Sequence, residues 1–214
     1  MLEEFRLFED LSEAELGQIR QQAVSRTFPK NTVIVSEGDD TTSLYLIESG
    51  RVKFFLGDEE GREVILNFQG AGAYFGELAL LDSSPRSVSV MTVEPTTLLV
   101  VSREDFFACL RSNPEIALKL LGHLAGRLRE LSDEVRALAL TDVYSRVTRL
   151  LERHAEERDG ERLVPGRMTH QQISQMVGSS REMVSRIMKE LVAGGYLSVD
   201  SEGIRLLKPF PKGW

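Results

Sequence analysis

The sequence predicts an α+β protein in three successive parts: a β-barrel over residues 1–112, a long helix over 113–140, and a helical unit closed by a hairpin over 141–214. Three observations carry this. Short apolar stretches recur between glycine turns from 27 to 101. Apolar residues repeat on a heptad from 117 to 138. After Thr169, two short helices flank a glycine and lead into a second strand-and-turn pattern. The 214 residues suffice for two small cores. A hydrophobic share of 42% with 28% charged residues excludes a disordered or fibrous chain.

The barrel strands are expected at 32–35, 44–47, 52–56, 64–68, 87–93 and 97–101, after an amphipathic start over 11–24. Between them lie Glu37-Gly38-Asp39-Asp40, Glu48-Ser49-Gly50, Gly57-Asp58-Glu59-Glu60-Gly61 and Gly70-Ala71-Gly72, which are turn compositions. Strands this short and evenly spaced indicate a barrel or sandwich. Pro114, placed in a first helical turn behind Asn113, then opens a helix that meets no further proline before about Leu140. Its apolar positions Ala117, Leu121, Leu124, Leu128, Leu131, Val135 and Leu138 are spaced 4, 3, 4, 3, 4, 3. So narrow a stripe suits pairing with an identical helix, and a parallel homodimer through 113–140 is the expectation. The competing reading lays this stripe on the chain's own barrel.

A second helix is expected over 142–157, followed by a charged loop ending Asp159-Gly160-Glu161-Arg162. Thr169 then caps a helix carrying Ile173, Met176 and Val177 on one face, Gly178 supplies a turn, and Ser180 caps a helix beginning at Arg181. On that last helix Val184, Ile187, Met188 and Leu191 share one face. Arg181, Glu182, Ser185, Arg186 and Lys189 occupy the other. Arginine can bond O6 and N7 of guanine together, and glutamate can accept from cytosine N4, so this polar face suits the major groove of double-stranded DNA. A hairpin of 196–199 and 204–207 around Asp200-Ser201-Glu202-Gly203 makes a wing.

Charge distribution permits this use. The whole chain carries a net charge of −7, but residues 141–214 hold 12 Lys and Arg against 10 Asp and Glu. The acidity therefore resides in the first 140 residues.

A second dense motif is Phe75-Gly76-Glu77-Leu78-Ala79-Leu80-Leu81-Asp82-Ser83-Ser84-Pro85-Arg86-Ser87. Backbone N–H groups from Gly76-Glu77 onward, the Arg86 guanidinium and the Ser87 hydroxyl together suit a phosphate. Glu77 suits a ribose 2′-OH beside it. The alternative is a cassette kept as architecture, with an arginine simply paired to Glu77.

From Thr169-His170-Gln171-Gln172-Ile173 through Val177-Gly178-Ser179-Ser180-Arg181-Glu182-Met183-Val184-Ser185-Arg186, the chain resembles the winged helix-turn-helix of the cyclic-AMP receptor protein/FNR superfamily of bacterial transcription regulators. The likeness covers nearly the whole chain in one order: sensory jelly-roll barrel, dimerising helix, DNA-binding domain. It implies that Arg181, Glu182 and Arg186 read TGTGA-like half-sites and that Thr169, Gln171 and Ser180 touch phosphates, with His170 departing from a basic residue common in the family. It also implies a cyclic-nucleotide cassette of Gly76, Glu77, Leu78, Arg86 and Ser87, with Arg127 beside the pocket, and RNA polymerase as a partner. In the cyclic-AMP receptor itself, adjacent Thr and Ser hold the adenine; here those positions are Leu131 and Ser132, and leucine offers the base no hydrogen bond. The expected effector is cyclic AMP or cyclic GMP, with cyclic di-GMP bound elsewhere, or no ligand at all, as alternatives.

Other signals stay bland. His123, His154 and His170 lie far apart without metal-ligand spacing, so no metal is expected. Cys109, the sole cysteine, excludes an intrachain disulfide and a multi-cysteine iron–sulfur cluster, and reads as a packing residue. Trp214 is given no role. A nucleotide-cleaving enzyme would need a metal cluster or a poised base, and neither pattern is present in the sequence. No apolar run is long enough for a membrane span, and Met1-Leu2-Glu3-Glu4-Phe5-Arg6 is acidic where a signal peptide is basic, so the expected location is cytoplasmic.

Overall fold

A computed structural model of the chain describes Phe5, Phe8 and residues 23–158, 160–166 and 168–211. These divide into two compact units, residues 1–127 and 128–214. The amphipathic start expected over 11–24 lies outside the described residues up to 22, and Val24 opens a strand.

The first unit contains two four-stranded antiparallel sheets. One has the order β1 (Val24–Phe28), β8 (Thr96–Ser102), β3 (Ser43–Ser49), β6 (Tyr74–Phe75). The other runs β2 (Val33–Val35), β7 (Ser89–Thr92), β4 (Arg51–Gly57), β5 (Glu63–Gly70). Val35, Ile47, Val52, Phe54, Phe75, Val90 and Leu98, drawn from both sheets, form the core between them, which makes the unit the expected jelly roll. Two strands are buried on both faces. Leu44 and Leu46 of β3, with Leu99 and Val101 of β8, point away from that core into a second one completed by Phe106, Ile116 and Leu120. Helix α1 (Glu77–Asp82) follows β6, and α2 (Arg103–Ser112) follows β8. The sequence reading had no helix at 103–112. Ser102 caps it by accepting from the Asp105 N–H at 3.1 Å, while Cys109 is half-buried against the second core.

Helix α3 runs Pro114–Leu140, the bounds expected. Its apolar residues form two stripes. Ile116 and Leu120 are buried in the first unit's core, with Leu124 half-buried beside them. The heptad positions Leu121, Leu128, Leu131, Val135 and Leu138 are instead 53–66% exposed. Leu124, also a heptad position, belongs to the buried stripe.

In the second unit, α4 (Val143–His154) is capped by Asp142, whose side chain accepts from the Ser145 N–H at 2.8 Å. It ends three residues earlier than expected. The supposed charged loop is instead a hairpin of β9 (Glu156–Arg158) and β10 (Glu161–Pro165), turning at Gly160 with φ +79°. These strands continue into β12 (Gly203–Leu206) and β11 (Leu197–Val199) as one antiparallel sheet. Helices α5 (His170–Val177) and α6 (Arg181–Ala193) pack with α4 around Tyr144, Val147, Leu151, Ile173, Val184 and Ile187. Arg146 closes the joint, donating to the Val177 carbonyl at the end of α5 at 2.8 Å.

Candidate nucleotide pocket and nucleic-acid interface

The pocket in the first unit grows from Gly76. This residue caps α1 at φ +92°, and a Cβ there would stand 2.4 Å from Arg86 Nη1 and 2.7 Å from the Ser43 carbonyl oxygen. Only glycine admits the arginine so close. Arg86 is 4% exposed. Its Nε donates to Thr41 Oγ1 at 2.8 Å, Nη1 to the Gly76 carbonyl at 2.8 Å, and Nη2 to the Ser43 carbonyl at 2.7 Å. The guanidinium also lies over the Tyr45 ring, 5.6 Å from its centre. Burial pushes the Arg86 group below its ordinary pKa, opposed by Tyr45, Glu77 and Asp39.

Glu77 is buried, and its carboxylate accepts from Arg127 Nη1 of α3 at 2.6 Å. The arginine paired to Glu77 is thus Arg127, while Arg86 bonds neutral oxygens. One turn earlier on α3, His123 Nδ1 lies 3.0 Å from the Tyr74 hydroxyl. Burial and the Glu77 carboxylate push that phenol above its usual range.

Gly76, Glu77, Leu78, Arg86, Ser87 and Arg127 all line one pocket, whose opposite wall is apolar and includes Val35, Phe54 and Val90. Leu78 and Ser87 are exposed at its rim. Of the expected nucleotide-site residues, Ser132 alone is absent from this lining; its hydroxyl donates to the Leu128 carbonyl of its own helix at 2.9 Å. Sequence reasoning missed Thr41, Ser43 and Tyr45, which hold Arg86 from more than 40 residues away. Chemically, the pocket offers a buried cation bonded to neutral oxygens, a carboxylate, and an apolar wall. Among the described residues no cluster of His, Cys, Asp and Glu fits a metal ion.

In the second unit, Thr169 and Gln172 form a reciprocal capping box: Thr169 Oγ1 accepts from the Gln172 N–H at 3.2 Å, and Gln172 Oε1 from the Thr169 N–H at 2.8 Å. Gly178 ends α5 in the left-handed conformation, and Ser180 Oγ accepts from the Met183 N–H at 3.2 Å to start α6. With Val184, Ile187, Met188 and Leu191 buried beneath, the outer face of α6 gathers Arg181, Glu182, Ser185, Arg186 and Lys189 around one shallow, open depression. Gln171 and Ser180 are exposed at the starts of the two helices. The Arg186 guanidinium donates to the Met183 sulfur at 3.2 Å. In the wing, Arg205 is clamped by Asp200, Glu202 and Glu161.

Residues 25–113 match the cyclic nucleotide-binding domain, and residues 145–209 match the Crp-like helix-turn-helix domain. The chain is 37% identical over 168 residues to the cAMP-activated global transcriptional regulator CRP of Haemophilus influenzae, covering 77% of this chain and 75% of that protein. It belongs to the cyclic-AMP receptor protein/FNR superfamily of transcription regulators. Within it, the cyclic AMP receptor protein of Thermus thermophilus is 34% identical over 88% of this chain and 86% of its own length. The c-di-GMP responsive global regulator CLP of Xanthomonas campestris superposes with a TM-score of 0.77 at 26% identity, covering 92% of this chain and all of that one. As a member of this superfamily the chain is a DNA-binding transcription regulator with a cyclic nucleotide-binding domain, and not an enzyme. Among the described residues no helix is long and apolar enough to cross a membrane.

Proposed function

We propose that this superfamily member acts as a homodimer, with residues 1–112 as sensor, 113–140 as dimerising helix and 141–214 as DNA-binding domain, on palindromes built from TGTGA-like half-sites. The observation that carries the reading is the gathering of Arg181, Glu182, Ser185, Arg186 and Lys189 on one open face of a helix whose other face is core. Arg181 and Arg186 each donate in fork geometry to guanine, Glu182 accepts from cytosine, and Ser185 and Lys189 extend the contact along the groove. Thr169, Gln171 and Ser180 meet phosphates. Thr169 and Ser180 cap their helices through oxygen lone pairs, and the Ser180 O–H keeps its donor for that contact. RNA polymerase is the protein partner, and the site of action is the cytoplasm.

The dimer is supported by five apolar heptad residues left more than half exposed on α3. The effector is a cyclic mononucleotide in the barrel pocket. Its phosphate meets Arg86, Ser87 and the Gly76–Leu78 backbone, and its ribose meets Glu77, held by Arg127. The base end favours a second candidate: Leu131 is apolar where a hydroxyl would serve adenine, and the similar regulator CLP is described as c-di-GMP responsive. Binding of the pure protein to a palindrome at fixed salt, with cyclic AMP, cyclic GMP or cyclic di-GMP in turn, separates these readings. Tightening by a mononucleotide that is lost in Arg86→Ala supports the pocket. Tightening by the dinucleotide that survives Arg86→Ala moves the effector site elsewhere.

A further inference from the structure

Arg86 is a buried cation whose three side-chain hydrogen bonds all run to neutral oxygens, and among the described residues no carboxylate lies within ion-pair distance of it. Each of its nitrogens donates once, which leaves one N–H on each terminal nitrogen for an anion. Two of the three acceptors are main-chain carbonyls, of Gly76 and Ser43. The third is the Thr41 hydroxyl, and it takes the single N–H of Nε. Nε is the nitrogen bonded to the side-chain stem, so whatever holds it fixes the plane in which both terminal nitrogens lie.

The segment that brings Thr41 there is itself fastened to Arg86. The Gly38 N–H donates to the Arg86 carbonyl at 2.8 Å, and the Arg86 N–H donates to the Asp39 carbonyl at 2.9 Å. Asp39 also folds its own turn, its carboxylate accepting from the Ser36 N–H at 2.8 Å. Thr41 is therefore presented by a loop held in register with the arginine it supports. Thr41 and its neighbour Thr42 are both exposed, but of the two only Thr41 accepts a hydrogen bond from Arg86 among the described residues.

We infer that Thr41 is a positioning residue of the effector site, setting the Arg86 guanidinium so that its two remaining N–H groups face the phosphate of a cyclic mononucleotide. This rests on the pocket reading proposed above, and preorganisation of this kind acts on ligand affinity more than on the fold.

The test is calorimetric titration of the full-length protein with cyclic AMP, alongside nuclear magnetic resonance of the arginine Nε–H groups without ligand. Thr41→Val should weaken cyclic AMP about tenfold, in line with the loss of one hydrogen bond to a charged group. Thr41→Ser should restore affinity to within about twofold, Thr42→Val should change nothing, and Thr41→Val should add nothing in an Arg86→Gln background. The Arg86 Nε–H should exchange slowly in wild type and Thr41→Ser, and quickly in Thr41→Val. Undiminished affinity in Thr41→Val, with binding still dependent on Arg86, overturns the inference. If wild type binds no cyclic AMP, the mononucleotide reading fails for that ligand and the exchange measurement still decides the positioning: a slow Arg86 Nε–H in Thr41→Val overturns it.

Discussion

Leu128→Asp should convert the protein to a folded monomer. Leu128 is 66% exposed in the single chain, as is Val135 one heptad further. Fully burying a leucine contributes about 1.5–3 kcal/mol, so covering the remaining two-thirds in both copies stabilises a symmetric dimer by about 2–4 kcal/mol. Losing that much weakens association by roughly 30- to 1,000-fold. The new carboxylate adds a desolvation penalty, because a heptad seam offers it no partner. The single chain loses little, since the side chain is in solvent there and aspartate costs a helix interior only about 0.7 kcal/mol. Sedimentation velocity should report the monomer mass, and circular dichroism should report native helix content with a nearly unchanged monomer melting temperature. A variant that stays dimeric at micromolar concentration refutes the seam. One that unfolds shows that Leu128 packs within its own chain.

Arg181→Ala and Arg186→Ala should each remove about 1–3 kcal/mol of discrimination against a mutated half-site, read by competition binding at constant salt, with the barrel's melting unchanged. Gly76→Ala should lower barrel stability by at least 1–3 kcal/mol, roughly the cost of a left-handed non-glycine residue, because its Cβ would also strike Arg86 and the Ser43 carbonyl; thermal unfolding checks this. Leu131→Thr should raise cyclic AMP affinity by about 0.5–1.5 kcal/mol, the net worth of one hydrogen bond, while leaving cyclic GMP affinity unimproved; titration with both nucleotides checks it.

The parts that were legible in the sequence are those where one residue type has few structural uses. Pro114 opens α3 and the heptad runs unbroken to its end, so both bounds could be read. Thr169, Gly178 and Ser180 mark three helix ends by cap chemistry alone. Strand β1 escaped because four of its five residues are exposed and β8's main chain, not a core face, holds it in place. Helix α2 buries only Phe106 fully, and its one clear mark is Ser102 capping three residues before Asp105. The β9–β10 hairpin was hidden by charge, although Asp159-Gly160 is a hairpin dipeptide that length and polarity disguised as a loop. In the pocket, the motif from Gly76 to Ser87 was visible as a local string. What holds it was not, since Arg127 reaches Glu77 across 50 residues and Thr41 reaches Arg86 across 45.

Control of DNA binding by an effector requires one equilibrium that joins the barrel pocket to α6 of both copies, and linkage makes that coupling act equally in both directions. It is tested most directly by measuring the affinity for cyclic AMP, with cyclic di-GMP in parallel, of the protein alone and of the protein saturated with a TGTGA-type palindrome. DNA should change the affinity for one of these effectors by about 5- to 150-fold, and the same effector should change the affinity for DNA by the same factor. Binding of effector and DNA with no effect of either on the other contradicts it.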